Sequence, residues 1–346
     1  MSTSQAWVTL ATNDTYALGA LVLGRSLRRV RTEKSLAIMV TREVTGGMRD
    51  SLTRVFDAVI LVDVFSSGDD ANLALIGRPD LGVTFTKLHC WRLTQYSKCV
   101  FLDADTLVLD NCDELFDRPE IAAAPDIGWP DCFNSGVFVF APSITTYGAL
   151  LHLALSLGSF DGGDQGLLNT FFNNWYTSDA SQRLPFVYNM SSSAAYGYLA
   201  AFQYFGKSVK IVHFLGTSKP WHHSVNTDGQ VVVSGHPGHA VEHLQRWWDI
   251  ATQDILATRI VDVDKASLPP HVVDLCVPDH FAALGLGGPG SSGGPKLPNE
   301  PQQRKLTPQE ELARQRDWEA GRIDYTGSDK FENIQRRMEQ SLQEKE

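Results

Sequence analysis

The chain has 346 residues, 43% of them hydrophobic, which is enough for one large α/β domain plus an appendage. Its 30 lysines and arginines against 40 aspartates and glutamates give a formal net charge of -10, which argues against a nucleic-acid-binding protein because such proteins present a basic surface. The five cysteines lack C-x-x-C spacing, no apolar run of about 18 residues occurs, and the N-terminus has no secretory pattern, so we expect a cytoplasmic protein with reduced thiols and no membrane span.

Strands and helices alternate along the first sixty residues. Apolar runs predict strands at 7–12, 36–41 and 59–64, and helical patterns predict helices at 16–29 and 46–56. This alternation predicts βαβ units with right-handed crossovers and a parallel sheet. Neither G-x-G-x-x-G nor G-x-x-x-x-G-K-[ST] follows the first strand, which disfavours a dinucleotide enzyme and a P-loop NTPase.

A pair of carboxylates follows the next apolar run. Residues 99–102 predict a buried parallel strand, and Asp103 and Asp105 come directly after it. In an extended segment both carboxylates would point to the same side, beyond the end of the strand where open α/β sheets bind ligands. Two oxygen ligands there suit Mg²⁺ or Mn²⁺, which could neutralise a diphosphate leaving group. A strand followed by a polar turn is the ordinary alternative for a bare Asp-x-Asp.

Two basic residues lie shortly before this strand. Arg78 precedes a helix predicted over 86–96, and Lys87 lies in that helix among apolar side chains. A lysine in such surroundings needs a partner, and a phosphate or a carboxylate would serve. The alternative for both residues is an ordinary solvated surface group.

Two polar motifs follow farther along the chain. Asn134 and Ser135 enter a strand over 133–140, where they could hydrogen-bond a sugar or serve as ordinary turn residues. The stretch 161–166, Asp-Gly-Gly-Asp-Gln-Gly, has glycines that allow a ligand close to the backbone. Asp164 could instead be a helix N-cap, but a cap explains that residue alone.

The third quarter of the chain adds a histidine, a lysine and two tyrosines. Short strands are predicted at 184–189 and 209–214, and His213 is near the end of the second. A histidine beside two carboxylates suits Mn²⁺ better than Mg²⁺, and Lys219 could meet a phosphate oxygen. Tyr196 and Tyr198 lie among small residues, where a tyrosine is easily presented, although tyrosines more often pack in a core.

The C-terminal part changes character after a helix predicted over 241–255. Glycine and proline dominate 282–303, which predicts a flexible linker. A capping box at 307–310 starts a helix, and an apolar stripe over 331–342 predicts a segment for a partner's groove, with docking onto the chain's own domain as the alternative. We therefore divide the chain into a domain at 1–265, a linker at 266–306 and a tail at 307–346.

Together these stretches resemble the glycogenins of glycosyltransferase family 8. Each motif is short, but the set is specific. The motifs are Thr12-Asn13-Asp14, Thr86-Lys87-Leu88-His89-Cys90-Trp91, Phe101-Leu102-Asp103-Ala104-Asp105-Thr106, Asn134-Ser135-Gly136, Asp161-Gly162-Gly163-Asp164-Gln165-Gly166, His213-Phe214-Leu215-Gly216 and Lys219-Pro220-Trp221. In the tail, the segment from Trp318 to Ile334 looks like the family's glycogen-synthase-binding sequence.

The resemblance implies a GT-A fold, a single-domain nucleotide-sugar-binding α/β fold with a Rossmann-like mixed sheet, followed by a disordered linker and a helical tail. It implies a retaining glucosyltransferase that moves glucose from UDP-glucose to its own tyrosine and then extends an α-1,4-glucan. The implied Mn²⁺ ligands, with Mg²⁺ as the alternative ion, are Asp103, Asp105 and His213. The implied donor contacts are Leu10, Thr12, Asn13, Tyr16, Arg78, Lys87, Asp103, Ala104, Asp105, Asn134, Ser135, Asp161, Asp164, Gln165, His213, Gly216 and Lys219.

The implied catalytic residues are Asp164, Asp161, Lys87 and the acceptor Tyr196, with Tyr198 as a second acceptor. Asp164 would act as a nucleophile, as in retaining glycosidases, or would stabilise positive charge during front-face transfer. The implied partners are glycogen synthase, glycogen or maltosaccharides and a second copy of the chain. Two other functions stay open: a non-catalytic UDP-sugar-binding adaptor that recruits glycogen synthase, and a transferase that acts on a small acceptor, such as a galactinol-type enzyme.

Overall fold

The computed structural model describes residues 4–75, 78–193, 197–233, 238–256 and 272–274. Tyr196, Cys276, the predicted tail over 307–346 and most of the predicted linker over 266–306 lie outside these residues. The division of the chain into domain, linker and tail therefore stays a prediction.

The described residues form short strands, α-helices and 3-10 helices. The strands are β1 (Gln5–Ala11), β2 (Ser35–Val40), β3 (Ala58–Leu61), β4 (Lys98–Leu102), β5 (Thr106–Val108), β6 (Ala122–Pro125), β7 (Phe133–Phe140), β8 (Met190–Ser191), β9 (Ile211–His213), β10 (Ser224–Val225), β11 (Val231–Val232) and β12 (Val272–Asp274). The α-helices are α1 (Asp14–Arg29), α2 (Gly46–Thr53), α3 (Asp70–Leu75), α4 (Ile144–Ser156), α5 (Asp164–Phe171), α6 (Leu199–Phe205) and α7 (Val241–Ile250). The 3-10 helices span Pro79–Arg92, Asp113–Asp117, Trp175–Thr177, Ala180–Gln182, Phe186–Tyr188, Gly206–Ser208 and Pro220–His222, and a π-helical turn, Ala251–Leu256, continues α7.

A seven-stranded mixed sheet organises the described residues, in the order β12-β3-β2-β1-β4-β7-β6. The strands from β12 to β4 are parallel, whereas β7 is antiparallel to both β4 and β6. Leu102 at the end of β4 pairs with Val137 near the start of β7, and the Asp103 N–H donates to Gly136 O at 2.8 Å. The carboxyl end of β4 therefore lies beside the first residues of β7. Within the predicted linker, β12 extends this sheet beside β3.

A smaller sheet of β5, β9 and β8 brings the histidine to the same place. Thr106 pairs with His213 in the antiparallel β5–β9 ladder, and Ser191 pairs with His213 in the parallel β8–β9 ladder. Since β5 begins one residue after Asp105, this register sets the histidine next to the carboxylates.

Both faces of the large sheet are covered, as expected for mostly parallel strands. Val100 and Leu102 join the core cluster on one face, whereas Cys99 and Phe101 join the cluster on the other. Phe101 also stacks on Phe138, with their ring centroids 5.1 Å apart. A strand that is apolar on both faces is rigid, which fixes the residues at its end.

Helix α1 packs directly against the turn that carries the carboxylates. The Asn13 side chain caps it by accepting the Tyr16 N–H at 3.0 Å. A Cβ built on Gly19 would lie 2.7 Å from Ala104 O. Glycine is required at this position because the helix approaches the turn too closely for any side chain.

Most sequence-predicted elements are confirmed, but two are wrong. The α-helix predicted over 86–96 is instead a 3-10 helix, Pro79–Arg92, in a segment where Gly82 and the β-branched residues after it lower the propensity for an α-helix. The strand predicted over 184–189 contains the 3-10 helix Phe186–Tyr188, since Pro185 starts it and the Tyr188 hydroxyl donates to Glu114 at 2.7 Å.

The described cysteines Cys90, Cys99, Cys112 and Cys132 are free thiols, as the sequence predicts. In the part of the chain that the structure describes, no helix is long and apolar enough to cross a membrane.

Candidate active site

A cleft of about 420 Å³ opens at the carboxyl ends of β1 and β4. Almost every donor contact expected from the sequence lines it: Leu10, Thr12, Tyr16, Arg78, Lys87, Asp103, Ala104, Asp105, Asn134, Ser135, Asp161, Asp164, Gln165, His213, Gly216 and Lys219. Asn13 is not among the lining residues, because its side chain caps α1. Tyr196 lies outside the described residues.

Two carboxylates and one imidazole meet on the floor of this cleft. His213 Nε2 lies 3.3 Å from Asp105 Oδ1 and 3.9 Å from Asp103 Oδ2. One ligand atom from each of the three residues falls within 4.8 Å of the others. A hard divalent cation accepts such a mixed oxygen and nitrogen set, so these residues fit the expected metal site.

The expected extended geometry for the two aspartates is wrong. Strand β4 ends at Leu102, and Asp103–Asp105 form a turn in which the Thr106 N–H donates to Asp103 O at 3.0 Å. The carboxylates converge because the turn folds back on itself and pairs with β9. Strand alternation therefore has no part in bringing them together.

Lys87 is almost completely buried, and its ammonium joins two acidic groups. Its Nζ lies 2.9 Å from Asp103 Oδ1 and 2.6 Å from Asp164 Oδ2, and it donates to Ser135 O at 3.1 Å. Burial alone would lower the pKa of Lys87, but the two carboxylates raise it above its ordinary value. The partner predicted for this buried lysine is thus confirmed as a pair of carboxylates.

Lys219 pairs with Asp105, as Lys87 pairs with Asp103. It forms a buried ion pair with Asp105 and donates to Phe214 O at 2.9 Å. Burial would raise the pKa of Asp105, but Lys219 and His213 outweigh it and hold the pKa well below its ordinary value. Burial raises the pKa of Asp103, against the opposing effect of Lys87.

The net charge of this cluster favours the binding of a cation. Three carboxylates, Asp103, Asp105 and Asp164, face the two ammonium groups of Lys87 and Lys219, so these five side chains carry one net negative charge. A bound divalent cation would reverse that sign and create an attractive place for a diphosphate.

The start of α5 rules out the alternative in which Asp164 is the helix N-cap. Gly163 is the N-cap, and Asp164 is the first helical residue, with its carboxylate directed at Lys87. Asp161 anchors the turn instead, since its Oδ1 accepts the Gly163 N–H at 2.9 Å and the Gly166 N–H at 3.1 Å. Asp164 is therefore left to face the cleft, where its carboxylate can serve chemistry.

A buried chain of amides fixes which nitrogen of His213 faces the carboxylates. The Gly136 N–H donates to Asn134 Oδ1 at 3.0 Å, so the Asn189 group at 2.8 Å from that oxygen must be its Nδ2 donor. Asn189 Oδ1 then lies 2.9 Å from His213 Nδ1 and accepts its proton. Nδ1 therefore carries a proton, and Nε2 is the nitrogen that faces Asp103 and Asp105 and could bind a metal ion.

Gly136 leaves the space in which the histidine ring lies. A Cβ at this position would overlap the imidazole and would lie 2.6 Å from Nδ1. Glycine at 136 therefore serves the metal site both by its N–H and by its missing side chain.

The same hydrogen-bond network continues to the side of the cleft lined by Asp126, Asp161 and Gln165, which we call the far wall. Asp126 Oδ2 accepts Asn134 Nδ2 at 3.0 Å and Gln165 Nε2 at 2.9 Å. The Gln165 side-chain carbonyl oxygen in turn accepts the Ser135 N–H at 3.2 Å. Hydrogen bonds thus connect His213 to the loop after β6.

Sequence reasoning missed Asn189 and Asp126. Asn189 comes at the end of a predicted strand, and Asp126 follows an alanine-rich strand without any motif. Only Asn189 could have been noticed in the sequence. Its amide lies at the end of a predicted strand, and a buried amide needs a hydrogen-bond partner just as a buried charge needs a counter-charge.

Comparison with known proteins gives one family and a consistent set of relatives. The model of glycosyl transferase family 8 matches residues 7–224. Glycogenin-1 of Mus musculus is 49% identical over 353 residues, covering 99% of this chain and 100% of that protein. Glycogenin-1 of Homo sapiens is 50% identical over 365 residues with the same coverage. Glycogenin-2 of Homo sapiens is 56% identical over 258 residues, covering 73% of this chain and 52% of that protein.

Solved structures share the fold at low identity. The apo form of the glycosyltransferase GlyE from Streptococcus pneumoniae TIGR4 has a TM-score of 0.51 and 19% identity, covering 77% of this chain and 66% of that one. The galactosyltransferase LgtC, solved with donor and acceptor sugar analogues, has a TM-score of 0.50 and 16% identity, covering 81% of this chain and 99% of that one. These likenesses confirm the fold expected from the sequence.

The amide chain predicts how Asn189 supports metal binding. Asn189→Leu removes the acceptor for His213 Nδ1–H, so the imidazole can rotate or change tautomer, and we expect Mn²⁺ affinity to fall by about tenfold or more. Electron paramagnetic resonance of unbound aqueous Mn²⁺, titrated into the protein with UDP, measures this loss.

Asn111→Leu is the matched control, because it removes a partly buried amide that donates to Val30 O at 3.2 Å. Its Mn²⁺ affinity should equal that of the wild type. An unchanged affinity in Asn189→Leu, with the fold intact by circular dichroism, would contradict the role of the amide chain.

Proposed function

The chain belongs to glycosyl transferase family 8 as a glucosyltransferase of the glycogenin type, and on this premise we propose that it glucosylates its own Tyr196 from UDP-glucose and then extends an α-1,4-glucan. The observation that carries the proposal is the lysine-joined cluster of Asp103, Asp105 and Asp164 on the floor of the cleft. It puts metal ligands and a carboxylate suited to the reacting sugar in one place.

The donor lies across the carboxyl ends of β1 and β4. Leu10, Thr12 and Tyr16 border one side of the cleft and hold the uridine. Arg78 is held by Asp80, with its Nη2 2.7 Å from Asp80 Oδ2, and it faces the same space for the phosphates. Glucose then points toward the far wall, where Asp126, Asp161 and Gln165 offer hydrogen-bonding groups for its hydroxyls.

Asp103, Asp105 and His213 hold the divalent cation, which we take to be Mn²⁺ because one ligand is an imidazole. When bound, the cation neutralises the diphosphate and so makes UDP a better leaving group. Lys219, already next to Asp105, supplies a compact positive charge near the same phosphates.

The transfer retains the α configuration. Asp164 faces the cleft from the start of α5, and Lys87 fixes its carboxylate at 2.6 Å. This carboxylate stabilises the positive charge that develops at the anomeric carbon, either as a covalent nucleophile or in front-face transfer. In front-face transfer, the bond from that carbon to the UDP oxygen breaks as the bond to the acceptor oxygen forms. With Asp164 as the nucleophile, the bond to UDP breaks as the bond to the carboxylate forms, and the acceptor oxygen then displaces the carboxylate.

The acceptor hydroxyl must lose a proton in this step. A tyrosine with its ordinary pKa near ~10 is protonated at neutral pH, so a base has to take the proton. The departing UDP phosphate oxygen accepts it, which balances the reaction without another protein base. Strand β8 supports Tyr196 as the acceptor, as it ends beside His213 a few residues before Tyr196 in the sequence.

The partners expected from the resemblance belong to the same proposal. We place the protein in the cytoplasm as a homodimer that binds glycogen synthase through the tail around Trp318–Ile334. The near-full-length similarity to glycogenin-1 supports this, because it includes the tail. A non-catalytic adaptor is not favoured, since such a protein has no need of a buried lysine joining metal ligands to Asp164.

Tyr196→Phe should abolish self-glucosylation of unprimed protein, because it removes the acceptor oxygen and leaves the cleft intact. Mass spectrometry of the purified chain after incubation with UDP-glucose and Mn²⁺ will show hexose increments in the wild type and none in the variant. Transfer to an added maltoside should continue.

Tyr204→Phe, which alters an exposed tyrosine of α6, should gain hexoses like the wild type. Full self-labelling of Tyr196→Phe would reject Tyr196, and loss of labelling in Tyr198→Phe would assign the first glucose to Tyr198.

Asp164→Asn should slow transfer to a maltoside by about 100-fold or more, because an amide stabilises positive charge poorly. The Kd for UDP with Mn²⁺, measured by calorimetry, should change by no more than a few-fold. Asp110→Asn, at an exposed carboxylate, is the control. Equal losses of turnover and UDP affinity would refute a chemical role for Asp164.

A further inference from the structure

The loop between β6 and β7 carries a tryptophan that no part of the donor site uses. Trp129 exposes 96% of its surface, and its neighbour Ile127 exposes 67%. Exposed apolar residues are common singly, but a tryptophan usually buries most of its large ring. Two such residues on one short loop therefore require an explanation.

This loop is fixed in place. The Asp126 N–H donates to Cys132 O at 2.8 Å, and the Cys132 N–H donates to Pro130 O at 2.7 Å. Asp126 is further held by the amides of Asn134 and Gln165 and by the Ile127 N–H at 2.7 Å. Because the base of the loop is tied down, a ligand that contacts the loop would lose little backbone entropy in ordering it.

The loop is also continuous with the sugar end of the cleft. Asp126 and Ile127 line the cleft, and Trp129 follows Ile127 by two residues without being a lining residue itself. Phe160, which directly precedes the lining residue Asp161 in the sequence, exposes 57% of its surface. Exposed aromatic residues thus flank the wall to which the donor glucose points.

We propose that Trp129 is a stacking platform for the acceptor glucan beyond the glucose unit that reacts. A pyranose ring has apolar C–H faces and polar hydroxyl edges. The loop offers both kinds of residue, since the exposed Trp129 lies between Asp126 and Asp131 in the sequence. This subsite rests on the proposed function, because an enzyme that extends its own glucan must hold a chain that lengthens past the cleft.

The position of Trp129 makes the effect depend on chain length. We expect maltose to be too short to reach Trp129 from the position of the reacting glucose, and maltoheptaose to be long enough. Trp129→Ala should therefore weaken maltoheptaose binding by about tenfold, or about 1.4 kcal/mol, and leave maltose binding unchanged. Trp129→Phe keeps an aromatic face and should retain most of the affinity.

Calorimetric titration of the full chain with each sugar, in the presence of UDP and Mn²⁺, measures these affinities without turnover. The protein is produced in cells that make no UDP-glucose, so that its own glucan does not occupy the site. Tyr176→Ala is the control, as this tyrosine is 54% exposed and is not a lining residue of the cleft. Its affinity for both sugars should equal that of the wild type.

Equal maltoheptaose affinity in Trp129→Ala and wild type would overturn the platform, as would a wild type with no preference for the longer sugar. A changed molecular mass of Trp129→Ala by light scattering would also overturn it and assign this loop to a contact between copies of the chain. Failure of the wild type to transfer glucose would instead refute the proposed function, while the titration would still decide the platform.

Discussion

The site depends on the burial of one positive charge, the Lys87 ammonium, between two negative ones. Three separate parts of the chain meet at it: the 3-10 helix after Arg78, the turn after β4 and the start of α5. Removing one partner from such a buried pair costs about 3–5 kcal/mol, because the charge left behind has no compensation. The lysine therefore holds the metal side and the sugar side of the cleft in one arrangement.

The second organising element is uncharged. A backbone N–H at Gly136, in the strand beside β4, sets the orientation of two successive asparagine amides and through them the tautomer of His213. Because Gly136 is part of the β-sheet, this chain of hydrogen bonds fixes the position of His213 relative to the sheet. The same strand leads through Asn134 to Asp126, so the metal ligand and the loop bearing Trp129 share one scaffold.

Much of this was predictable from the sequence, and the reasons for the failures are physical. Apolar runs and the Asp-x-Asp after β4 indicated the sheet and a cation site, and the apolar surroundings of Lys87 called for a phosphate or a carboxylate as its partner. The turn geometry of Asp103–Asp105, the cap by Asp161 and the amide chain through Asn189 were missed. Each of these depends on the packing of segments distant in sequence, and at the metal site the register is set by the pairing of β9 with β5 and β8.

The central proposal is that Asp103, Asp105 and the Nε2 atom of His213 bind one divalent cation in a cluster balanced by two lysines. Crystals of the full chain grown with UDP and Mn²⁺, with diffraction recorded on both sides of the manganese absorption edge, test this most directly. We expect one anomalous peak in the cleft, bonded to both carboxylates and to Nε2, with Nδ1 still on Asn189. A manganese peak away from these three side chains, or one bonded to Nδ1, would contradict the proposal.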